Sequence, residues 1–587
     1  MQATQDQKQS LINRRLPVVT WGLVFVSVLL LLALARLQQL DPNIRREFEI
    51  REQNNIQSVR RLPAVRGIIY DRDNVPLAFN VLQYEVGISP NLVSNPERVA
   101  QQLGLQLGSD EFEIYQRIVD PDNPNWELIA RPVSAEVGQA IADEDLLGVV
   151  INPLSRRAYP QERVGGALVG FIIEDNNNST RGAMGIEASY NEQLAGRSLD
   201  QTISNIPIGV PLETRTDTQR GMDVILTIDR DIQFWVEYEL ERVVNEQNAE
   251  GGTIIVMDPR NGDVLAMASY PTFDPNTFSQ VADDNILRVP AIADIYEPGS
   301  VMKVLTVAAA LDTGTITPQW TYNDQGSIEV GGRFHVNWDR GSYGLMDTSQ
   351  LLVNSLNVGA VSVALEMQPN LFYSSMNRFG LGQVTGIDLP GEQQGIMRIP
   401  GDNRWSEADF ASNSYGQAIS TTALQMTTAY AAIANDGLMY QPRLVREIRD
   451  GDEIIPAPPI LRNRAVSTDT ANAVTDMMVR VVEEGATFAQ VPSYTVAGKT
   501  GTAQISTPTG YDPDDSIASF IGFLPADEPQ LVIFVKIDRP DGYWGSQVAA
   551  PLFSDLAQRL VVLLGIPNDD IRRGLQAEGG VINEEGR

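Results

Sequence analysis

The sequence predicts an α/β protein whose larger domain spans residues 216–566 and follows a smaller α+β domain at 39–215. Strand-like runs stand at both ends of the larger domain, and helical patterns fill its middle. A sheet assembled from both ends of a domain requires the central helices to pack against it as a separate layer. One long apolar segment near the N terminus predicts a membrane element ahead of both domains.

The N-terminal segment has the length and composition of a membrane anchor. Residues 1–15 are polar, and an apolar run of about 20 residues then begins at Leu16, long enough for one helix to span a bilayer. Ala33-Leu34-Ala35 resembles a signal-peptide cleavage site, but the apolar run is longer than a usual signal-peptide core. We therefore predict a cytoplasmic tail at 1–15, an uncleaved single-pass anchor at 16–38 in the plasma membrane, and an extracytoplasmic location for the rest of the chain.

The domain at 39–215 is predicted to begin with a helical stalk and to continue as strands. Residues 66–74 lead into the apolar run 75–78 through a turn rich in Asp and Asn, and 84–88 alternates as a further strand. Residues 97–118 show a helical pattern. Because this region holds no serine–lysine pair, we predict a scaffold or docking unit.

The larger domain is predicted to start with strands around one long helix. Residues 222–229 are rich in β-forming residues, and apolar residues recur at helical spacing over 232–244. The runs 253–258 and 264–268 form a predicted hairpin, since Asn261-Gly262 between them is a typical turn.

The end of the larger domain returns to strands. Strand signals recur at 494–506, 519–524 and 531–538, and an apolar helix is predicted at 551–564. The final residues, 567–587, are charged and contain glycine, so we predict a disordered tail.

The composition excludes several kinds of site. The 587 residues include no cysteine and a single histidine, His335, which removes thiolate chemistry and two-histidine zinc motifs. A Ser-His-Asp role for His335 remains open, although its short strand with aromatic neighbours favours a structural role. The formal net charge of −31 argues against nucleic acid as a partner. The chemistry must then run on hydroxyls, amines and carboxylates.

Residues 296–303 place a serine and a lysine one helical turn apart. Pro298-Gly299 interrupts the preceding structure, and the apolar run that follows predicts a helix starting at or just after Ser300. Positions i and i+3 share a helical face, so the Lys303 amine can take the proton of the Ser300 hydroxyl, which needs a base to become nucleophilic. A solvated surface pair is the alternative.

The scarcity of lysine favours the catalytic interpretation. Lys and Arg total 44, but only four of these residues are lysines: Lys8, Lys303, Lys499 and Lys536. Arginine supplies a fixed charge, whereas a buried lysine can lose its proton and act as a base.

Two further motifs follow Ser300 along the chain. Ser355-Leu356-Asn357 lies between two helical patterns, which predicts a turn, and Lys499-Thr500-Gly501 lies on a predicted strand where glycine lets a substrate backbone approach. Each motif is weak alone. Together, in the order S-x-x-K, S-x-N and K-T-G, they are a specific signature of serine acyl-transfer enzymes.

With these motifs in this order, the chain resembles the penicillin-binding proteins, the serine acyltransferases that cross-link bacterial peptidoglycan. The anchor and the segments 66–72, 185–187 and 416–420 are similar to the class B, monofunctional group. Residues 355–360 and 416–435 are similar to its division-type members.

The resemblance implies a penicillin-binding/serine β-lactamase-like transpeptidase domain with an antiparallel sheet and helical layers. It implies that the preceding domain is an elongated pedestal of the dimerisation type. It further implies binding of peptidoglycan stem peptides and β-lactams. The implied partners in septal wall synthesis are a membrane-embedded SEDS-type glycosyltransferase and other cell-wall assembly proteins, and no cofactor or metal is implied.

The resemblance also implies a role for each motif residue. Ser300 attacks the carbonyl between the last two D-alanines of a stem peptide, with Lys303 as its base. Ser355 relays a proton to the departing D-alanine, and Asn357 orients Lys303 and the substrate amide. The implied catalytic residues are therefore Ser300, Lys303, Ser355, Asn357 and Lys499.

The implied substrate-binding residues are Thr500, Gly501 and Thr502. Lys499 and the hydroxyls of Thr500 and Thr502 hold the terminal carboxylate, because a cation and donors suit an anion. The backbone N–H groups of Ser300 and Thr502 form the implied oxyanion hole.

Three alternatives stay open at this level. An elongation-type transpeptidase would carry the same motifs, a D,D-carboxypeptidase would use the same serine with water as acceptor, and a β-lactam-binding scaffold would lack turnover.

Overall fold

The computed structural model describes residues 20–33, 57–62, 64–174, 180–197, 199–204, 220–507 and 510–575. The chain divides into two compact units, Met1–Ala64 with Arg197–Gln219, and Val65–Gly196 with Arg220–Arg587. In the first unit, the described residues form a helix, α1 (20–33), and an antiparallel ribbon of β1 (Gln57–Leu62) with β8 (Leu199–Ser204).

Within the described residues, no helix is both long enough and apolar enough to cross a membrane. Of the predicted anchor at 16–38, only residues 20–33 are described, and they are helical with exposed side chains. The predicted tail at 1–15 lies outside the described residues.

The second unit contains the remaining elements, numbered in chain order. Its strands are β2 (Ile69–Tyr70), β3 (Pro76–Ile88), β4 (Glu127–Ser134), β5 (Val149–Ala158), β6 (Ile172–Glu174), β7 (Thr180–Gly182), β9 (Asp223–Leu226), β10 (Gly251–Asp258), β11 (Asp263–Tyr270), β12 (Thr321–Asp324), β13 (Ser327–Val330), β14 (Arg333–Val336), β15 (Gly344–Asp347), β16 (Leu438–Tyr440), β17 (Val445–Asp450), β18 (Glu453–Pro456), β19 (Leu461–Arg464), β20 (Ala497–Thr507), β21 (Gly510–Leu524) and β22 (Leu531–Asp538). Its helices are α2 (Pro96–Leu107), α3 (Glu111–Val119), α4 (Ala135–Asp143), α5 (Gly166–Val169), α6 (Gly185–Ser189), α7 (Asn191–Ala195), α8 (Arg230–Glu246), α9 (Pro290–Ala293), α10 (Met302–Asp312), α11 (Thr348–Val353), α12 (Asn357–Arg378), α13 (Glu407–Asn413), α14 (Ala423–Ala434), α15 (Thr468–Arg480), α16 (Ala549–Leu563) and α17 (569–575).

A seven-stranded sheet joins the two halves of the second unit. Its strand order is β18-β17-β9-β2-β3-β4, and β5 also pairs with β3. Strands β2 to β5 come from the predicted first domain, whereas β9, β17 and β18 come from the predicted larger domain. The parallel pairing of β2 with β9 aligns Ile69 with Val224, and both side chains are fully buried. One core therefore runs through both regions.

A buried ion cluster fixes the segments beside this sheet. Glu187, which has no exposed surface, accepts from Arg66 Nε at 2.6 Å through Oε2 and from Arg157 Nε at 2.6 Å through Oε1. Arg66 also donates to Asn191 Oδ1 at 3.0 Å, and Arg157 donates to Gly67 O at 2.7 Å. The carboxylate thus compensates two buried guanidinium groups, as buried charges require.

The second sheet has five strands in the order β11-β10-β22-β21-β20, and all of its pairs are antiparallel. Strands β10 and β11 precede the central helices in sequence, and β20 to β22 follow them. The prediction that one sheet is built from both ends of the larger domain is confirmed.

Helices cover both faces of the five-stranded sheet. In β10, Ile254 and Val256 belong to the core formed with α8 and α16, while Ile255 and Met257 belong to the core formed with α10, α12, α14 and α15. Successive strand residues point to opposite faces, so the continuous apolar run of β10 fits a strand that is buried on both sides.

The helix predicted at 97–118 is in fact two helices, α2 and α3. Gly108 ends α2 in the left-handed conformation, with φ of 64°, which glycine adopts without steric cost. The side chain of Asp110 then accepts from Phe112 N and caps α3.

The prediction of disorder over 567–587 is wrong for its first part, because residues 569–575 are helical. Arg572 in this helix is buried and forms ion pairs with Asp569 at 2.7 Å and with Asp527 at 2.5 Å. The charges that suggested disorder instead anchor the helix. Residues 576–587 lie outside the described residues.

Candidate active site

Ser300 lies on the short 3-10 turn Gly299–Val301, directly before the buried helix α10. Gly299 has a left-handed φ of 60°, and a Cβ there would lie 2.9 Å from Thr502 O. Its N–H donates to Gly416 O at 2.9 Å. Glycine is therefore required where the turn meets strand β20. The predicted helix start is confirmed, with a 3-10 turn as its first part.

Lys303 directs its amine at two serine residues. Its Nζ lies 3.1 Å from Ser300 Oγ, 3.2 Å from Ser355 Oγ and 2.5 Å from Ser355 O. The side chain has no exposed surface. Burial, reinforced by the positive charge of Lys499, lowers the pKa of Lys303 well below its usual value. The neutral amine that a general base needs is thus favoured.

Ser355 occupies the turn between α11 and α12 in a left-handed conformation, with φ of 54°. This conformation is costly for a residue other than glycine, and such strain tends to persist at functional sites. Its Oγ accepts from Lys303 at 3.2 Å and from Lys499 at 3.0 Å. One hydroxyl therefore connects the two motif lysines.

Lys499 lies on β20, an edge strand, with its side chain 1% exposed. Its Nζ also donates to Thr500 O at 3.1 Å and lies 3.4 Å from Thr500 Oγ1. Burial lowers the pKa of Lys499 to about 7. The residue therefore changes charge near neutral pH, and a bound anion would stabilise its charged form.

The two residues after Thr500 bring β20 close to its neighbours. A Cβ at Gly501 would lie 2.3 Å from Ser519 Oγ, so a larger residue does not fit. Thr502 Oγ1 accepts from Gly545 N at 3.1 Å. Within the described sheet, β20 pairs along one edge only, which leaves backbone groups of its other edge available to an extended peptide.

Asn357 stands at the start of α12, and its side-chain amide contacts the end of strand β14. Its Nδ2 donates to Val336 O at 2.8 Å, and none of its described hydrogen bonds involves Lys303. His335 is 2% exposed, and its Nδ1 lies 2.8 Å from Tyr415 OH. None of the described hydrogen bonds of His335 involves Ser300, which favours the structural role.

The arrangement is a continuous chain of polar contacts from Ser300 through Lys303 and Ser355 to Lys499. It provides a nucleophile, a desolvated amine, a relaying hydroxyl and a cation, which is the equipment of acyl transfer. Among the described residues, no group of three or more acidic or histidine side chains is arranged to hold a metal ion.

Comparison with known families agrees with this chemistry. Residues 252–558 match the model of the penicillin binding protein transpeptidase domain, and residues 61–226 match that of the penicillin-binding protein dimerisation domain. The chain belongs to the penicillin-binding proteins. Because a dimerisation domain precedes the transpeptidase domain, the predicted class B membership is confirmed.

Related penicillin-binding proteins cover most of this chain. The chain is 32% identical to stage V sporulation protein D of Bacillus subtilis over 85% of its own length and 78% of the relative. It is 28% identical to peptidoglycan D,D-transpeptidase FtsI of Escherichia coli over 99% and 97% of the two chains. Penicillin-binding protein 3 of Mycobacterium tuberculosis, solved with aztreonam, has a TM-score of 0.67 at 30% identity over 87% and 98% of the two chains.

Several residues around the site of this penicillin-binding protein were not predicted. Tyr430 is fully buried and donates to Val301 O at 2.7 Å, which supports the nucleophile turn from behind. Trp338 and Trp544 approach each other beside the motifs, with ring centroids 5.3 Å apart. The chain has only seven tryptophans, but no spacing rule connects these two positions.

Proposed function

We propose that this penicillin-binding protein is a peptidoglycan D,D-transpeptidase that works through an acyl-enzyme on Ser300. The observation that carries the proposal is the buried amine of Lys303, whose pKa is lowered and which lies 3.1 Å from Ser300 Oγ. A serine hydroxyl needs an adjacent base at neutral pH, and this amine is in place to be that base.

In the first step, Lys303 takes the proton of Ser300 Oγ, which attacks the carbonyl between the last two D-alanines of a stem peptide. The carbon–nitrogen bond of that amide breaks, and D-alanine leaves with a proton delivered through Ser355. The distance of 3.2 Å between Lys303 Nζ and Ser355 Oγ supports this relay. A β-lactam amide opens in the same way, but its ring keeps the leaving nitrogen attached to the acyl group.

Recognition of the stem terminus falls to the K-T-G strand. Lys499 and the hydroxyls of Thr500 and Thr502 bind the terminal carboxylate, and Gly501 allows the substrate backbone to approach. The pKa of Lys499 is about 7, so near neutral pH its charge depends on what is bound beside it. The negative charge of a bound carboxylate stabilises the charged form of this amine. Asn357 orients the substrate amide, and its contact with Lys303 requires its side chain to leave Val336 O.

The developing oxyanion is stabilised by the backbone N–H groups of Ser300 and Thr502. A Cβ added to Gly299, the residue before Ser300, would lie 2.9 Å from Thr502 O, so the turn and strand β20 are close enough for both N–H groups to reach one oxygen. Losing one donor of an oxyanion hole costs about 10²- to 10³-fold in rate.

In the second step, an amine of another stem peptide attacks the ester carbon, the bond to Ser300 Oγ breaks, and a cross-link forms. A D,D-carboxypeptidase would use water in this step, and a β-lactam-binding scaffold would not reach it. The buried amine of Lys303 supports acylation of Ser300, the first step that a transpeptidase and a D,D-carboxypeptidase share.

The cellular role we propose is septal wall synthesis. The Escherichia coli relative is named peptidoglycan D,D-transpeptidase FtsI, and segments 355–360 and 416–435 are similar to division-type enzymes. We assign 1–15 to the cytoplasm, 16–38 to a plasma-membrane anchor, 39–215 to a docking domain for a SEDS-type glycosyltransferase and 216–566 to catalysis. An elongation role would place a tagged copy along the lateral wall instead of at the septum.

Covalent labelling tests the assignment of Ser300. We expect fluorescent penicillin to label the wild-type protein and to leave Ser300→Ala unlabelled, because the ester to Oγ cannot form. Peptide mass spectrometry should place the adduct on the peptide that contains Ser300. Labelling of Ser300→Ala at the wild-type level would overturn the proposed function.

A further inference from the structure

Two tryptophans from opposite walls of the site meet beside the motifs. Trp338 follows strand β14, and its Nε1 donates to Asn354 O at 3.2 Å, directly before Ser355. Trp544 precedes Gly545, whose N–H donates to Thr502 Oγ1 at 3.1 Å. The two rings contact edge to face, with centroids 5.3 Å apart and an interplanar angle of 72°. The pair therefore joins the S-x-N side to the K-T-G side.

The wall that carries Trp544 is firmly seated on the sheet. A Cβ at Gly545 would lie 2.2 Å from Gly501 O and 2.5 Å from Ser519 O, so this loop lies directly on the strand backbones. Tyr543 O accepts from Ser516 Oγ at 2.6 Å, and the Tyr543 ring packs edge to face on Trp544 at 4.9 Å.

The wall that carries Trp338 is the more exposed one. Trp338 is 54% exposed, and Val336 and Phe334 before it are 42% and 66% exposed, while His335 between them is buried. Alternation along β14 therefore places an apolar strip on the outer face that ends at Trp338. A ring with this much free surface can separate from Trp544 without unpacking the core.

The position of the pair matters because of microscopic reversibility. In the proposed function, the departing amine receives its proton at Ser355, so the attacking amine must enter at the same place. Ser355 Oγ is 3.0 Å from Lys499 Nζ, and Trp338 and Trp544 flank this end of the site through Asn354 and Gly545. The aromatic pair is therefore tied to the segments on both sides of the Ser355 end, where an acceptor amine is expected to enter.

We propose that Trp338 and Trp544 form an acceptor-side closure that favours transfer of the acyl group to a peptide amine over transfer to water. This inference rests on the proposed function. With the rings in contact, the pair restricts water at the Ser355 end. An acceptor peptide opens the pair, because the aliphatic part of its amine-bearing side chain packs on Trp338 and the apolar strip in place of the Trp544 edge.

Both outcomes break the same bond. In transfer, the amine nitrogen bonds to the acyl carbon, the bond from that carbon to Ser300 Oγ breaks, and the nitrogen proton returns to Ser300 Oγ by way of Ser355 and Lys303. In hydrolysis, the water oxygen takes the place of the nitrogen. The closure determines whether the acceptor amine or water reaches the acyl carbon. The two rings themselves make no contact with the reacting atoms.

The test measures the ratio of hydrolysis to transfer in the full-length protein. An N-acyl-D-alanyl thioester serves as acyl donor and a stem peptide with a free side-chain amine as acceptor, and chromatography separates the acid from the amide product. We expect Trp338→Ala and Trp544→Ala to raise the ratio by about 2- to 12-fold, the population change caused by losing one aromatic contact of this type. Acylation by fluorescent penicillin should persist in both variants.

Two variants serve as controls. Trp338→Phe keeps a ring against Trp544 but removes the donor to Asn354 O, so we expect a ratio near that of the wild type. Trp235→Ala removes a tryptophan that packs under Arg559 on the opposite side of the sheet, and it should leave the ratio unchanged.

The outcomes separate this inference from the proposed function. An unchanged ratio in both alanine variants with normal acylation would overturn the closure and leave the acyl-enzyme intact. A ratio in Trp338→Phe as high as in Trp338→Ala would also overturn it, because positioning of Asn354 would then be the cause. Failure of wild-type Ser300 to acylate would overturn the proposed function itself.

Discussion

Two buried pairs of basic side chains in this protein have opposite surroundings. In the pedestal region, Arg66 and Arg157 share Glu187, with both Nε–O distances at 2.6 Å and all three side chains nearly inaccessible. In the active site, Lys303 and Lys499 share only the Ser355 hydroxyl, at 3.2 and 3.0 Å. Neither lysine forms an ion pair with a carboxylate of the described residues.

The difference is consistent with a structural role for the arginine pair and the proposed catalytic role for the lysine pair. A buried guanidinium stays protonated and therefore needs a counter-charge, whereas a buried amine can lower its own cost by losing a proton. Lys536 is an intermediate case, since it is 6% exposed but lies 2.5 Å from Asp538. Both active-site lysines lack a carboxylate partner among the described residues and have a lowered pKa, but only Lys303 contacts Ser300 Oγ.

The largest expected effect is on the acylation rate, when Lys303 is replaced by an arginine like those of the structural pair. We expect Lys303→Arg to reduce the second-order rate constant of acylation by fluorescent penicillin about 10²- to 10⁴-fold, the usual contribution of a general base. A guanidinium keeps the positive charge but cannot take the Ser300 proton.

Lys536→Arg is the matched control for this prediction. Lys536 is also a buried lysine, but it is held by Asp538 and does not contact Ser300. We expect the Lys536→Arg variant to be acylated by fluorescent penicillin at a rate near the wild-type value. Equal rates for Lys303→Arg and wild type would remove Lys303 as the base.

The next effect is on the free energy of unfolding and concerns the cluster of Arg66, Arg157 and Glu187. We expect Glu187→Gln to lower the free energy of unfolding by about 3–5 kcal/mol, because it leaves two buried guanidinium groups without a counter-charge. Urea denaturation followed by circular dichroism measures the change.

The exposed pair Arg117–Glu113 offers the control for the cluster. Its side chains are 43% and 64% exposed, so Glu113→Gln should change the free energy of unfolding by less than about 1 kcal/mol. If Glu187→Gln were as mild as Glu113→Gln, the cluster would not hold the pedestal region together.

The sequence was sufficient for the parts of the fold that rest on local pattern and motif spacing. The runs 253–258 and 264–268 around Asn261-Gly262 predicted the hairpin of β10 and β11, and the S-x-x-K spacing predicted the contact of Ser300 with Lys303. The order of strands and helices also predicted a sheet built from both ends of the larger domain. These features depend on residues that are close in sequence or on the layer rule alone.

Features that depend on long-range contacts were not predictable. The parallel pairing of Ile69 with Val224 joins segments 155 residues apart, and the sequence assigned them to separate domains. The charged residue Arg572 suggested disorder because its partners Asp527 and Asp569 become neighbours only in the fold. Trp338 and Trp544 likewise meet only through tertiary structure.

The protonation state of Lys303 is the most direct test of the contrast between the two clusters. The chain has four lysines, so selective labelling with ¹³C,¹⁵N-lysine gives few side-chain signals, and Lys303→Arg assigns one of them. We expect the Lys303 amine to titrate well below its usual pKa, because it is buried beside Lys499, and Lys499 to titrate at about 7. Titration of both lysines near the usual value of about 10.4 would contradict the account.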